Sequence, residues 1–95
     1  MIVIGKEPLD EFKIQYPDSK SPIEALVAEL ENAEWKTPHD LKARYPKASL
    51  TGNQQVIFNI CWNKYRLWAQ VTYKTAIVLI RAIGTHKEYE KWNIE

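Results

Sequence analysis

Residues 56–83 read VIFNICWNKYRLWAQVTYKTAIVLIRAI, and the two-residue period in this stretch decides the fold. Val56, Phe58 and Ile60 alternate with Ile57, Asn59 and Cys61, which describes a first strand. Asn63 is placed to turn the chain. Beyond it Tyr65, Leu67, Ala69, Val71 and Tyr73 share one face, while Lys64, Arg66, Trp68, Gln70 and Thr72 share the other. That alternation is expected of a strand buried on one side only. Lys74-Thr75 leaves room for a tight turn before residues 76–83, a β-branched run that carries Arg81 and stops at a bend at Gly84.

Outward from this meander, toward the N-terminus, the period lengthens. Residues 1–4 form a short apolar strand, and Pro8 suits the first turn of a helix in which Leu9, Phe12 and Tyr16 recur before Pro17 ends it. Ser21 can cap a second helix, with Pro22 at its first position and Glu24 completing a Ser-x-x-Glu capping box. Its apolar stripe is Ile23, Leu26, Val27 and Leu30, with Glu24, Glu29 and Glu31 left to solvent. Thr37-Pro38-x-Asp40 repeats the start signal for a short helix through Arg44, closed by Tyr45-Pro46. The expected architecture is α+β in the order β-α-α-β-β-β: an N-terminal strand and helices packed on one face of an antiparallel sheet whose other face is open.

The 95 residues, 45% of them hydrophobic and 12% aromatic, suit one compact domain spanning 1–95, with no repeat or linker at which to divide it. The longest aliphatic run, 76–80, is too short for a membrane span and residues 1–4 are too short for a signal segment, so a cytoplasmic protein is expected. The single Cys61 has no disulfide partner and reads as a small filler at a strand end. No His/Cys/Asp/Glu set has metal-ligand spacing, no glycine-rich phosphate loop is present and no serine stands in a nucleophile elbow. The chemistry is therefore expected to need no cofactor and no metal. Net charge is only +1, yet residues 1–41 hold nine acids and four bases and residues 42–95 hold nine bases and three acids. If the basic half folds as one layer, it presents a cationic face to a phosphate backbone; a solvated surface divided by chance is the other reading.

On the open face Arg66 and Trp68 are neighbours, with Lys64 one step further. A guanidinium beside an indole makes a nucleotide grip, the one taking phosphate oxygens and the other stacking a base. Equally, Trp68 can cover the sheet edge while Arg66 pairs with an acid. Arg81 and His86 bracket Gly84, and a tight hairpin brings the Arg66 end of the neighbouring strand toward them, so the three are expected to converge. RNA cleavage without a metal needs such a set: cations for the charge growing on the phosphate, and an acid for the departing 5′-oxygen. Histidine side chains, which titrate near about pH 6.5, suit the acid's role, although an isolated histidine after a turn is also an ordinary surface residue. His39, beside Asp40 in the acidic half, reads as surface.

The segments Ala33-Glu34-Trp35-Lys36, Ala48-Ser49-Leu50, Val56-Ile57-Phe58-Asn59-Ile60, Asn63-Lys64-Tyr65-Arg66-Leu67 and Ile80-Arg81-Ala82-Ile83-Gly84-Thr85-His86-Lys87-Glu88-Tyr89 resemble the HigB toxin family. The resemblance covers nearly the whole chain in the expected order. It implies a RelE-like fold, mRNA endonuclease activity, usually in the ribosomal A site, and neutralisation by a HigA-type helix-turn-helix antitoxin encoded beside it. By position, Arg66 corresponds to the strand residue set against the scissile phosphate, and His86 stands where RelE-like enzymes use an acid or charge stabiliser. Arg66, His86 and Arg81 are the catalytic candidates; Asn59, Lys64, Trp68, Tyr89, Lys87 and Lys91 are the expected RNA contacts. Cys61-Trp62 departs from the small residues expected in that turn, and the net charge is low for a ribosome-binding member. A ParE-like toxin that poisons gyrase by binding protein alone, or a passive RNA- or ribosome-binding module, are the competing functions on this fold.

Overall fold

A computed structural model describes residues 1–94. Five strands, β1 (Ile2–Ile4), β2 (Ser49–Leu50), β3 (Gln55–Ile60), β4 (Tyr65–Thr72) and β5 (Ile77–Thr85), form one sheet in the order β1-β5-β4-β3-β2. The helices are α1 (Glu7–Gln15), α2 (Lys20–Asn32), α3 (Pro38–Arg44) and α4 (His86–Tyr89), with a 3₁₀ turn at Pro17–Ser19. The α+β class and the β3-β4-β5 meander are as expected. The short β2, the four-residue α4 and the pairing of β1 were not, for β1 runs parallel to β5, a contact between segments too far apart in sequence for local pattern to reveal.

The alternation sorts the strands as it should. Val56, Phe58 and Ile60 of β3, Tyr65, Leu67, Ala69 and Val71 of β4, Val78 and Ile80 of β5 and Val3 of β1 join Leu9, Phe12, Ile23, Leu26, Leu30 and Leu41 from the helices in one buried core. Burying these side chains is the main force that seats the helices on the sheet. The ring of Tyr65 packs at 5.1 Å from Phe12 and 5.2 Å from Tyr16 and so pins α1 to the end of β4.

Three local expectations are corrected. The Ser21 capping box is not formed: α2 begins at Lys20, because the 3₁₀ turn before it has already put Ser19 and Lys20 in helical backbone. Ser19 instead donates its hydroxyl to the Tyr16 carbonyl at 2.6 Å. The Thr37-x-x-Asp40 box does form, since Thr37 there has extended backbone and both reciprocal bonds are present. The β3–β4 turn runs from Cys61 to Lys64, closed by the Lys64 N–H donating to the Cys61 carbonyl at 3.1 Å; it includes Asn63, as expected, with Cys61 and Trp62 left-handed at φ of 52° and 65°. Gly84 does not bend the chain, for it lies inside β5 opposite Arg66. The β4–β5 connection is also longer than Lys74-Thr75, running through Ala76 at φ 57°.

Ionic contacts tie the 3₁₀ turn to the β3–β4 hairpin. Asp18 accepts from Lys64 Nζ at 2.6 Å and from the Tyr65 hydroxyl at 2.7 Å, while its carbonyl accepts from Cys61 Sγ at 3.4 Å. The Lys64 bond, then the Tyr65 bond, hold the Asp18 carboxyl below its ordinary 3.8. A carboxyl lowered on folding stabilises the fold above its unfolded value, and that stabilisation disappears as pH falls through the folded one. Asp18→Asn is therefore expected to lower the thermal midpoint at pH 7, with the gap to the parent closing as pH drops below 3.8. Thermal melts of both proteins across the acid range measure it; a gap independent of pH would exclude the ionic contact as its cause. Burial, then the charge of Asp18, pushes the Cys61 thiol up, which suits an inert filler.

Candidate active site

The open face of the sheet is built from the alternate residues of the same strands. Arg66 of β4 is flanked in register by Asn59 of β3 and Gly84 of β5. Two residues on, Trp68 pairs with Ile57 and Ala82. The C-terminal segment then folds back over part of this face, a feature that an open sheet does not lead one to expect. It can do so because Gly84 has no side chain: a Cβ there would lie 3.0 Å from Glu88 Cβ and 3.1 Å from Trp92 Cζ2.

The return is directed by a second Thr-x-x-Glu box. Thr85 has extended backbone, its N–H donates to Glu88 Oε1 at 2.9 Å, and the Glu88 N–H donates to Thr85 Oγ1 at 3.2 Å. Helix α4 therefore starts at His86, whose N–H donates to the Lys64 carbonyl at 3.3 Å. This bond ties α4 to the β3–β4 hairpin and places His86 next to the start of β4. Tyr89 lies one turn on, with its ring centroid 6.1 Å from that of His86. The Arg66 guanidinium sits over the Tyr89 ring at 5.5 Å and donates to the Asn63 carbonyl at 2.8 Å. Arg66, His86 and Tyr89 thus meet where the strand ends, the hairpin turn and α4 converge. Glu90 Oε1 lies 3.1 Å from His86 Nδ1, leaving Nε2 as the ring nitrogen for another partner.

Not every expected residue joins them. Arg81 does not converge with Arg66 and His86: its guanidinium lies over Trp68 at 5.1 Å and donates to Gln70 Oε1 at 3.1 Å. It lies three residues along β5 from Gly84, the register partner of Arg66. Trp68 does not flank Arg66 as a free stacking surface either. Its Nε1 donates to Gln55 Oε1 and its ring packs 6.0 Å from Trp92. Lys64, expected to face RNA, is engaged by Asp18, whose carboxylate raises its pKa. Asn59 keeps its place beside Arg66, with Nδ2 donating to the Lys47 carbonyl at 3.3 Å. Lys87 and Lys91 are exposed on α4 and the turn after it, and His39 is exposed as expected.

Trp92, Glu88 and Glu90 were missed. Trp92 lies 5.7 Å from Tyr89, completing an aromatic row from Trp68 through Trp92 to Tyr89 that holds α4 against the sheet. The signal for α4 was in the sequence: Thr85-x-x-Glu88 has the spacing of a capping box, and Trp92 follows Tyr89 by three residues.

Among the described residues neither Arg66 nor Arg81 on this face is paired with an acid, as is also true of Lys20, Lys36, Lys47 and Lys74 elsewhere, whereas Lys6, Lys13, Arg44 and Lys64 each have a carboxylate partner. Two guanidiniums held by carbonyls, an amide and aromatic faces are ready to accept an anion.

Comparison with known proteins places the chain in a family. Residues 19–92 match the family described as HigB_toxin, RelE-like toxic component of a toxin-antitoxin system. The chain is 29% identical over 92 residues to the mRNA interferase toxin HigB of Escherichia coli (strain K12), covering 95% of this chain and 88% of the relative. The mRNA interferase HigB of Shigella flexneri matches with the same identity and coverage. With the family match spanning most of its length, this chain belongs to the HigB toxin family, the RelE-like toxic component of a toxin–antitoxin system.

Proposed function

We propose that the toxin is an mRNA interferase that cuts mRNA by attack of a 2′-hydroxyl on the adjacent phosphate, without a metal. The observation that carries this reading is the Arg66 guanidinium, seated on Tyr89 beside His86 and free of any carboxylate among the described residues. In this reading Arg66 holds the scissile phosphate and offsets the charge that grows on its oxygens. The bond from the 2′-oxygen to phosphorus forms as the bond to the 5′-oxygen breaks, leaving a 2′,3′-cyclic phosphate and a 5′-hydroxyl. His86 protonates the departing 5′-oxygen, and the proton of the 2′-hydroxyl passes to solvent. Asn59 and Tyr89 border the phosphate, while Lys87 and Lys91 extend the cationic surface along α4.

The names of the relatives favour this reading over a ParE-like poison of gyrase or a passive RNA-binding module. In the cell the substrate is mRNA in the ribosomal A site, and a HigA-type helix-turn-helix antitoxin keeps the toxin silent in the cytoplasm. The experiment is to map mRNA 5′ ends in cells expressing the chain, and in extracts with and without ribosomes. Discrete internal cleavages that require ribosomes are expected. Intact mRNA alongside DNA damage would refute the endonuclease in favour of the gyrase reading.

A further inference from the structure

Strand β5 carries one residue more than β4 where the two pass Trp68. Trp68 pairs with Ala82 and Ala69 pairs with Ile80, so Arg81 between them has no register partner. A bulge of this kind re-aims the residue it releases. Here it turns Arg81 onto the open face, where the guanidinium lies on the Trp68 ring and donates through Nη1 to Gln70 Oε1. Both partners are neutral, and no carboxylate among the described residues lies within ion-pair distance. The remaining N–H groups of the guanidinium have no protein acceptor among the described residues.

An exposed arginine usually loses side-chain entropy when it grips an anion. At Arg81 the ring and the amide have already ordered the side chain. Its position along the sheet decides which anion it takes. Arg66 is in register with Gly84, three residues along β5 from Arg81 and so about 10 Å away along the strand. That is too far to share one phosphate and suits a neighbouring phosphate of the same strand. The Trp68, Trp92 and Tyr89 rings run between the two cations.

We infer that Arg81, with Gln70 and Trp68, forms a second phosphate subsite that binds an RNA phosphodiester flanking the one held by Arg66. The inference rests on the RNA reading of the site, and it assigns Arg81 to binding the strand, away from the bond that breaks. Holding a second phosphate fixes the register of the strand against His86.

The test is binding of a fluorescein-labelled RNA octanucleotide, 2′-O-methylated throughout so that it is not cut, followed by anisotropy over a range of salt. Arg81→Ala is expected to weaken binding about tenfold and to reduce the slope of log affinity against log salt by about 0.7, the value for one phosphate contact on a single strand. Arg81→Lys keeps the slope while losing part of the affinity, because the charge remains and the bidentate fork does not. In Arg66→Ala/Arg81→Ala the two losses add, as they do for separate contacts. Affinity within about twofold of the parent, an unchanged slope, or a double variant no weaker than Arg66→Ala alone would overturn the subsite. Failure of the endonuclease reading shows separately, as intact mRNA in cells expressing the parent toxin.

Discussion

His86→Ala is expected to lower the rate of mRNA cleavage by about 10² to 10⁴ while leaving the fold intact. In free-energy terms this is about 3 to 5 kcal/mol of the barrier, the range supplied by one positioned acid. The fold should not notice, because His86 is exposed and its contacts are a surface contact of Nδ1 with Glu90 Oε1 at 3.1 Å and an edge contact with Tyr89. Its backbone N–H, the group that ties α4 to the Lys64 carbonyl, survives the substitution. The measurement is single-turnover cleavage of mRNA on programmed ribosomes, with a thermal melt as control. A rate within a factor of about three of the parent, in a folded protein, would remove His86 from the chemistry.

The second large effect lies in a residue with no side chain. Gly84→Val is expected to lift α4 and Trp92 from the sheet, costing about 1 to 3 kcal/mol of stability from overpacking and about 10²-fold in cleavage from misplacement of the groups α4 carries. The backbone at Gly84 is ordinary strand, so the cause is space and not conformation. Even the first carbon of a side chain meets Glu88 Cβ at 3.0 Å and Trp92 Cζ2 at 3.1 Å. Valine adds two further carbons in the same gap. Gly84→Ala should show the same loss in smaller measure. Tryptophan fluorescence reads the exposure of Trp92, and far-UV circular dichroism checks that the sheet persists. A valine variant with parental fluorescence and activity would show that Trp92 is not seated on Gly84 in solution.

The features of the fold legible in the sequence are those set by short-range pattern. The alternation through β3 and β4 named both faces, and with them the buried Tyr65, Leu67, Ala69 and Val71 and the outward Arg66, Trp68 and Gln70. The Thr37-x-x-Asp40 start was legible because its two bonds are local. The same logic misplaced the start of α2, where the preceding 3₁₀ turn makes a cap at Ser21 unnecessary. Helix α4 was passed over because four residues carry no periodic stripe, although its capping box was present.

The site was legible in its members and less so in their distances. Arg66 and His86 were named and do come together with Tyr89. Arg81 is expected with them because it precedes Gly84, but three residues of extended strand separate it from Gly84, the partner of Arg66, and its guanidinium meets Trp68 and Gln70 instead. Lys64 was read as facing RNA, and only the tertiary contact shows Asp18, 46 residues away, holding it. Charge balance illustrates the same limit: the excess of bases after residue 41 is real, yet what matters at the site is which cations lack an acid partner.

In the proposed mechanism this face cuts mRNA through Arg66 and His86. The most direct test is to sequence mRNA ends from cells expressing the parent toxin and Arg66→Ala, with the chemistry of the ends determined. Fragments bearing 5′-hydroxyl and 2′,3′-cyclic phosphate ends are expected from the parent, and none above background from a folded Arg66→Ala protein. Intact mRNA from the parent, or the same fragments from both, would contradict it.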